Sequence, residues 1–219
     1  MPRLLFEKKG NAIWISHLDL MRLFQRAFKR AGLQLTHTQG FNPRPSVSIA
    51  LPLSVGIASG CELLDFDLVE QNGRVEDLVE RLNTALTDGI RVLKVYDNGR
   101  KIRELSLLSS CLTLEYDNGV PERAKQEIQA LFQRASLLVE KKTKSGIQEQ
   151  DIIPMIRSIT LEQVSANELQ IRALACCQNP TLNPMQLDAA IRRYLPQQQA
   201  DFVKCERLEI YDADEKVFR

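Results

Sequence analysis

The chain has 219 residues, of which 44% are hydrophobic and 26% are charged. This composition is typical of a globular protein and excludes a disordered, collagen-like or coiled-coil chain. The length allows one large domain or two small domains of roughly 100 residues each. The formal net charge of +1 indicates no class of partner by itself.

The distribution of charge along the chain is more informative than its sum. Residues 1–50 carry eight basic against two acidic residues, a net charge of +6. Residues 61–88 carry eight acidic against two basic residues, a net charge of −6. A basic N-terminal segment indicates an anionic partner, and the acidic segment 61–88 is a second candidate docking surface, for a basic partner.

The cysteines and the N-terminus indicate a compartment. The five cysteines form no C-x2-C pair and no C-x3-C-x2-C run, and only two histidines are present. No metal or iron–sulfur site is therefore predicted in this chain, and the thiols are expected to be buried and reduced. The N-terminus lacks the apolar core of a signal peptide, and no apolar run approaches the roughly 20 residues of a membrane span. The sequence predicts a soluble, cytoplasmic protein.

The first half of the chain alternates short extended segments with two amphipathic helices. In chain order, the pattern predicts extended segments at 4–7 and 13–15, a helix over 16–31, strands at 33–38, 47–53 and 61–69, a helix over 75–86 and a strand at 90–96. Ser16 is predicted to cap the first helix with Asp19 three residues on, and Gly32 to end it. This order is the split β-α-β pattern of a ferredoxin-like sandwich.

The second half repeats the order of elements without repeating the sequence. Strands are predicted at 111–116, 137–142, 156–161, 168–176 and 202–211, with helices that begin at Pro121 and after Asn183. The polar stretch at 97–101 indicates a boundary near residue 105. We therefore expect an α+β protein with two tandem ferredoxin-like domains, over residues 1–105 and 106–219.

The first candidate binding feature is a basic helix face. Its four cations recur at helical spacing, so they are expected on one side of the first helix: Arg22, Arg26, Lys29 and Arg30. A neighbouring phosphate would relieve their mutual repulsion. The alternative is an outer face that contacts only solvent.

The second candidate is the loop 39–45. Pro43 and Pro45 stiffen its backbone, and Gly40 permits an unusual φ angle. The loop offers polar groups and one ring for recognition of a polar ligand, on Gln39, Phe41, Asn42 and Arg44. Phe41 is expected either to stack on a base or to anchor the loop to the core. In the alternative interpretation the loop is only a rigid crossover.

Two weaker candidates complete the set. His17 lies beside Ser16 and near Asp19, but adjacent side chains diverge, so catalysis by His17 is a minor hypothesis. A basic loop in the second half carries Lys141, Lys142 and Lys144, and either extends an anion-binding surface or is merely solvated. Phosphate-binding, dinucleotide-binding, serine-hydrolase and zinc-protease motifs are all missing from the sequence.

Three runs in the first half resemble the radical SAM-linked protein family: 15–22, 26–32 and 39–45. This family is a domain of unknown function, found alone or joined to the C-terminal side of radical S-adenosylmethionine enzymes. The resemblance continues through 50–53, 55–56 and 62–65, covers residues 1–90 well and continues only loosely through 141–142 and 151–152. Ser46 stands where a further basic residue is expected. The resemblance implies a radical enzyme as partner, which would hold the S-adenosylmethionine and the iron–sulfur cluster.

These observations favour a non-catalytic accessory module that binds or presents an RNA or ribonucleoprotein substrate to such an enzyme. The residues expected to bind are His17, Asp19, Arg22, Arg26, Lys29, Arg30, Gln39, Phe41, Asn42 and Arg44. A stand-alone RNA-processing or RNA-modifying enzyme is the first alternative, since tandem ferredoxin-like domains also occur in such enzymes. The glycine-rich loop and the R-x-D motif that two of those classes need are missing. A protein–protein scaffold that binds no RNA is the second alternative.

Overall fold

The computed structural model describes residues 1–69, 75–97, 99–143 and 146–219, with Val75, Glu76, Lys142 and Thr143 described by their backbone alone. The chain forms two compact units. The N-terminal unit comprises residues 1–104 together with 218–219, and the C-terminal unit comprises residues 105–217. Among the described residues, no helix is long and apolar enough to cross a membrane.

The N-terminal unit contains four named strands and two helices. In chain order they are β1 (Arg3–Lys8), α1 (His17–Arg30), β2 (Val47–Ala50), β3 (Ile57–Phe66), α2 (Val75–Ala85) and β4 (Ile90–Tyr96). The strands lie in the order β4-β1-β3-β2, and each neighbouring pair is antiparallel. Helix α1 connects β1 to β2, and helix α2 connects β3 to β4. Neither pair of strands is adjacent in the sheet, so each helix forms a crossover connection.

The core of the N-terminal unit lies between this sheet and the two helices. Phe24 and Phe28 project from α1 and are fully buried. The ring of Phe24 packs against Phe6 of β1 with 4.8 Å between centroids, and the ring of Phe28 packs against Phe66 of β3 at 5.0 Å. These two aromatic pairs fix which face of α1 is turned inward, and therefore which face is left to solvent.

Several predicted elements and boundaries in this unit were wrong, including the end of β3, which lies at Phe66 rather than at Val69. Residues 10–14 form a 3₁₀ turn, where the sequence predicted an extended segment at 13–15. The buried Lys8 explains the turn, since its Nζ donates to the carbonyls of both Ile13 and Ile15 at 3.1 and 2.9 Å. In an extended strand, carbonyls two residues apart lie about 6.6 Å apart, too far for one Nζ to reach both at these distances. The segment 33–38 forms only single bridges, β2 ends at Ala50, and β3 begins at Ile57 rather than at Cys61.

The C-terminal unit repeats this arrangement with an insertion. Its elements are β5 (Leu107–Glu115), α3 (Ala124–Phe132), β6 (Leu138–Thr143), β7 (Gly146–Asp151), β8 (Ile156–Gln163), β9 (Glu168–Cys176), α4 (Met185–Tyr194) and β10 (Phe202–Tyr211). The strands of its main sheet lie in the order β10-β5-β9-β8, again antiparallel. Strands β6 and β7 form a separate hairpin, in which β7 was not predicted as a strand.

The expectation of a mixed α+β class is therefore confirmed. We count only the four strands of each unit's main sheet, in chain order. In both units the fourth strand lies beside the first, the first beside the third, and the third beside the second. Both helices of each unit connect strands of that sheet in the same positions along the chain.

Candidate nucleic-acid interface

Helix α1 begins at a complete capping interaction. Ser16 is the N-cap, and its Oγ accepts a hydrogen bond from the backbone N–H of Asp19 at 3.2 Å. The same Oγ donates to Oδ2 of Asp19 at 2.7 Å. The hydrogen bond from Ser16, followed by that from Arg22, lowers the pKa of the Asp19 carboxyl below its usual value. Asp19 is therefore a fixed anion at the start of the basic face.

His17 does not form a catalytic triad with its neighbours. Ser16 and Asp19 hydrogen-bond to each other, so neither is directed at the imidazole. The Nδ1 atom of His17 is buried and has no hydrogen-bond partner among the described residues. A triad needs a nucleophile bonded to the imidazole and a carboxylate behind it. The weak hypothesis of catalysis by His17 finds no such geometry in the described part of the chain.

The four cations of α1 are all exposed, but the structure gives them different roles. Arg22 pairs with Asp19 at 3.0 Å, so its charge is partly neutralised. Arg30 donates from Nη2 to the carbonyl of Ala85, the last residue of α2, and thereby joins the two helix ends. Arg26 and Lys29 form no ion pair with any described residue. The basic face that is available to an anionic ligand therefore centres on Arg26 and Lys29.

The loop that follows α1 is closed at its base. The backbone N–H of Thr38 donates to the carbonyl of Arg44 at 2.8 Å, and the N–H of Arg44 donates to Oγ1 of Thr38 at 3.0 Å. Below this pair, Ser46 donates to the carbonyl of Thr36 at 2.8 Å, and Thr36 is bound in turn to Asp67 through both its N–H and its hydroxyl. The loop therefore has a narrow stem that is tied to the chain beyond β3.

The tip of the loop projects into solvent. Gln39, Asn42 and Arg44 are exposed. Phe41 is fully exposed, so the expectation that it anchors the loop to the core was wrong. The proline-rich stem holds the loop without an apolar anchor, which leaves the ring free for a ligand.

An open cleft of about 540 Å³ lies between the end of α1 and the stem of this loop. The residues that line it come from α1, from the turn after it and from both sides of the stem: Gln25, Lys29, Gly32, Leu33, Gln34, Leu35, His37 and Pro45. Among these, the sequence had indicated only Lys29 as a binding residue and Pro45 as part of the candidate loop. Gln25 lies one helical turn before Lys29, and that spacing was the signal that could have identified it.

Two lysines of the predicted basic loop of the C-terminal unit, Lys141 and Lys142, lie in strand β6 of the β6–β7 hairpin. Lys141 donates from Nζ to the carbonyl of Thr181 at 3.5 Å. Lys142 is described by its backbone only, and Lys144 lies outside the described residues. Near this hairpin, Arg193 pairs with Glu149 at 2.8 Å and packs over the ring of Tyr194. The positive charge of Arg193 is thus partly neutralised by the carboxylate of Glu149.

Three acidic residues of the segment 61–88 are buried or hydrogen-bonded within the N-terminal unit: Glu62, Asp65 and Asp67. Glu62 is buried in β3, and Asp65 accepts a hydrogen bond from Nη2 of the buried Arg3 at 3.0 Å. Asp67 accepts from the hydroxyl of Thr36 at 3.0 Å. Glu70 and Arg74 lie outside the described residues. The described acidic residues of the segment that stay exposed are Asp77, Glu80 and Asp88.

The five cysteines are thiols that lie mostly inside the units. None of them forms a disulfide, and all but the half-buried Cys176 are buried. Burial raises the pKa of the Cys177 and Cys205 thiols to about 12, so they stay protonated at neutral pH and are weak nucleophiles. In the described residues, no group of three or more His, Cys, Asp or Glu side chains is placed to hold a metal ion.

Comparison with known families assigns most of the chain. The family described as "Uncharacterized protein conserved in bacteria (DUF2344)" matches residues 2–198. The chain belongs to this family. A comparison with curated proteins finds no match. The family description supports a domain of unknown function and says nothing of a radical enzyme.

The solved structures that are similar to this chain have very low sequence identity to it. One is the "Crystal Structure of a Cbf5-Nop10-Gar1 Complex", with a TM-score of 0.50 and 7% identity, over 95% of this chain and 48% of that chain. Another is the "Structure of H/ACA RNP bound to a substrate RNA containing 2'-deoxyuridine", with a TM-score of 0.46 and 7% identity, over 98% and 48%. This chain thus spans about half the length of the solved chains it matches, and the likeness concerns the fold.

Proposed function

We propose that this DUF2344 protein is a non-catalytic accessory module that binds single-stranded RNA, free or in a ribonucleoprotein, and presents it to a radical S-adenosylmethionine enzyme in the cytoplasm. The observation that carries the RNA half is the position of Lys29. This residue belongs both to the basic face of α1 and to the wall of the cleft, whose other wall is the stem of the exposed loop. Cations, an exposed ring and a cleft therefore occupy one region of the N-terminal unit.

The chemistry of this region suits unpaired nucleotides better than a duplex. Proteins that bind single strands combine cations that follow the backbone with aromatic rings on which bases stack. Arg26 and Lys29 supply the cations, and Phe41 supplies an unobstructed ring. Arg44, Gln39 and Asn42 add exposed donors and acceptors on the same loop.

The accessory role is supported by the state of the nucleophilic side chains. Ser16 is engaged as a helix cap, and the pKa values of the Cys111, Cys177 and Cys205 thiols are raised by burial. The radical enzyme is proposed from the resemblance of residues 1–90, and the proposal assigns S-adenosylmethionine and the cluster to that partner. Free thiols are consistent with a reducing compartment.

We also propose that each unit is a ferredoxin-like domain. The strand order, with the last strand beside the first and the third beside the second, is the one that a split β-α-β unit produces. The β6–β7 hairpin is then an insertion in the second domain.

The RNA proposal is tested by reversing the two unpaired charges. Arg26→Glu with Lys29→Glu is expected to weaken binding of a short single-stranded RNA at least tenfold, measured by fluorescence anisotropy. Loss of two phosphate contacts is expected to reduce the slope of log affinity against log salt by about 1.4. The matched control is Arg91→Glu with Lys94→Glu on β4, where both side chains are also exposed. Equal affinity of both variants and the unaltered protein would contradict the proposal.

The partner is tested by affinity purification of the tagged protein from its native cytosol, with the eluate divided and half of it treated with nuclease. A radical enzyme retained after nuclease supports direct docking. Recovery of that enzyme only in the untreated half would mean that RNA bridges the two proteins, and recovery in neither half would refute the partnership. A protein partner other than a radical enzyme, with RNA missing from both halves, would favour the scaffold alternative.

A further inference from the structure

The cleft beside Lys29 has an apolar floor and a polar rim. The buried Leu33 and Leu35 and the half-buried Pro45 form the apolar floor, while Gln25, Gln34 and His37 bring two amides and an imidazole to the rim. Its volume of about 540 Å³ falls in the range of small-ligand pockets. Neither amide nor the imidazole forms a side-chain hydrogen bond with another described residue, so these groups are available to a ligand.

The walls of the cleft are held in place before any ligand binds. The N–H of Leu33 donates to the carbonyl of Phe28 at 2.9 Å, which ties the floor to the end of α1. On the other side, the N–H of Val69 donates to the carbonyl of Gln34 at 2.9 Å, and Leu35 forms a bridge with Leu68. A preformed pocket loses little conformational entropy when a ligand binds.

The donors and acceptors around the cleft discriminate between classes of ligand. An amide side chain both donates and accepts, which suits the mixed edge of a nucleobase. A site for an isolated phosphate would instead present several cations or backbone N–H groups, and Lys29 is the single cation among the cleft-lining residues. An acidic peptide would likewise need several cations to pair with its carboxylates, and the cleft offers only Lys29 among its lining residues.

We infer that this cleft binds one unpaired nucleobase of a single-stranded RNA whose phosphates contact Arg26 and Lys29. The inference rests on the proposed RNA binding and identifies where its base specificity would lie. Lys29 is placed to contact the phosphate next to the bound nucleotide, because it belongs to both the cleft and the basic face. Phe41 is then available for a neighbouring base rather than the one in the cleft.

The test removes polar groups from the rim without altering the charge of the basic face. The variant Gln34→Ala with His37→Ala changes two exposed side chains, and Gln133→Ala in the C-terminal unit is the control. The probes are a single-stranded RNA of about eight nucleotides and a set of the same RNAs in which one base at a time is replaced by an abasic site. Affinity is measured by anisotropy at two salt concentrations, and circular dichroism checks folding.

The expected result has three parts. The rim variant binds the intact RNA about tenfold more weakly, in the range of one lost base contact, with an unchanged salt slope. For the unaltered protein, replacement of one particular base by an abasic site lowers the affinity by a similar factor. This abasic RNA binds the rim variant no more weakly than it binds the unaltered protein. The control variant binds like the unaltered protein.

The contrary results distinguish the two proposals. If the RNA binds the rim variant and the unaltered protein with equal affinity, and if this binding depends on Arg26 and Lys29, the base pocket is overturned and the proposed function stands. RNA that binds neither protein would overturn the proposed function and the base pocket with it. A lower affinity accompanied by a smaller salt slope would show a lost phosphate contact, and would also overturn the base pocket.

Discussion

Arg26 and Arg30 are one helical turn apart on α1, yet the structure gives them different tasks. Arg30 donates to the carbonyl of Ala85 at the end of α2, and Arg26 has no ion-pair partner among the described residues. A carbonyl at a helix end has no partner within its own helix, so the arginine satisfies an otherwise unpaired acceptor. The sequence pattern alone treats the two residues as equivalent, because spacing reveals the face but not the neighbouring helix.

Alanine substitution is expected to separate these tasks. Arg30→Ala should lower the free energy of unfolding by about 1 kcal/mol, since it removes a charged hydrogen bond at an exposed site. Arg26→Ala should leave stability unchanged and weaken RNA binding several-fold. Urea denaturation and anisotropy on both variants measure the two effects. A loss of stability in Arg26→Ala as large as that in Arg30→Ala would show that the two residues share a structural role.

At the scale of elements, the junction between β1 and β4 depends on a single glycine. Gly89 has φ of +82°, and its carbonyl accepts a hydrogen bond from the N–H of Lys9 at 2.8 Å. A Cβ at this position would lie 2.4 Å from the carbonyl oxygen of Lys9 and 2.8 Å from the Cβ of Ala12. Both neighbours belong to the segment between β1 and α1, so the 3₁₀ turn at 10–14 and the residue before it pack directly on this turn.

Gly89→Ala is therefore expected to destabilise the protein by about 2 kcal/mol or more, because it adds backbone strain to a steric overlap with backbone atoms. Gly60→Ala is the matched control in β3, where a Cβ would meet no atom within 4 Å and φ is not positive. The control should be neutral or slightly stabilising. Equal midpoints of urea denaturation for the two variants would contradict this account of the junction.

Elements with strong local signals were predictable, and those decided by tertiary contacts were not. The capping residue Ser16 and the stop at Gly32 locate α1 within a residue of its observed ends. Strand β7 has the sequence Gly-Ile-Gln-Glu-Gln-Asp and lies largely exposed in a two-stranded hairpin, so it lacks the apolar alternation that marks a strand. The turn at 10–14 follows from the buried Lys8, whose carbonyl partners no local pattern could reveal.

The same distinction applies to the candidate site. Helical spacing correctly placed the four cations of α1 on one exposed face. The cleft could not be predicted from the sequence pattern, because its walls come from α1, from the turn after it and from a stem closed by Thr38 and Arg44. Whether Phe41 points outward or inward also depends on that stem, and composition alone allowed both.

At the scale of the whole molecule, the two units repeat one strand order but differ in what they expose. The N-terminal unit carries the ring of Phe41, the cleft, and two cations of α1, Arg26 and Lys29, that have no ion-pair partner among the described residues. In helix α4 of the C-terminal unit, by contrast, both arginines are paired, Arg193 with Glu149 and Arg192 with Asp188 at 2.7 Å. Repetition of a fold thus does not extend to the surface, and the proposed RNA site belongs to the N-terminal unit.

The C-terminal unit is expected to make the whole protein sensitive to alkali. Burial raises the pKa of Cys177, Cys205 and Tyr116 to about 12, above ordinary values of 9.0 for the thiols and 10.0 for the phenol. A pKa that is higher in the folded state means that the folded state holds its proton more tightly. This contribution to stability is complete below the unfolded-state pKa and is lost as the pH rises towards about 12.

The free energy of unfolding should therefore decline from about pH 9 upward, with each buried thiol contributing about 1 to 2 kcal/mol of the loss by pH 10.5. Urea denaturation followed by circular dichroism at pH 7, 9 and 10.5 measures the decline. In Cys205→Ala, the cost of the small cavity is the same at every pH, so the decline should be shallower while the value at pH 7 is lower. A decline as steep as in the unaltered protein would show that the Cys205 thiol ionises as readily in the folded state as in the unfolded chain.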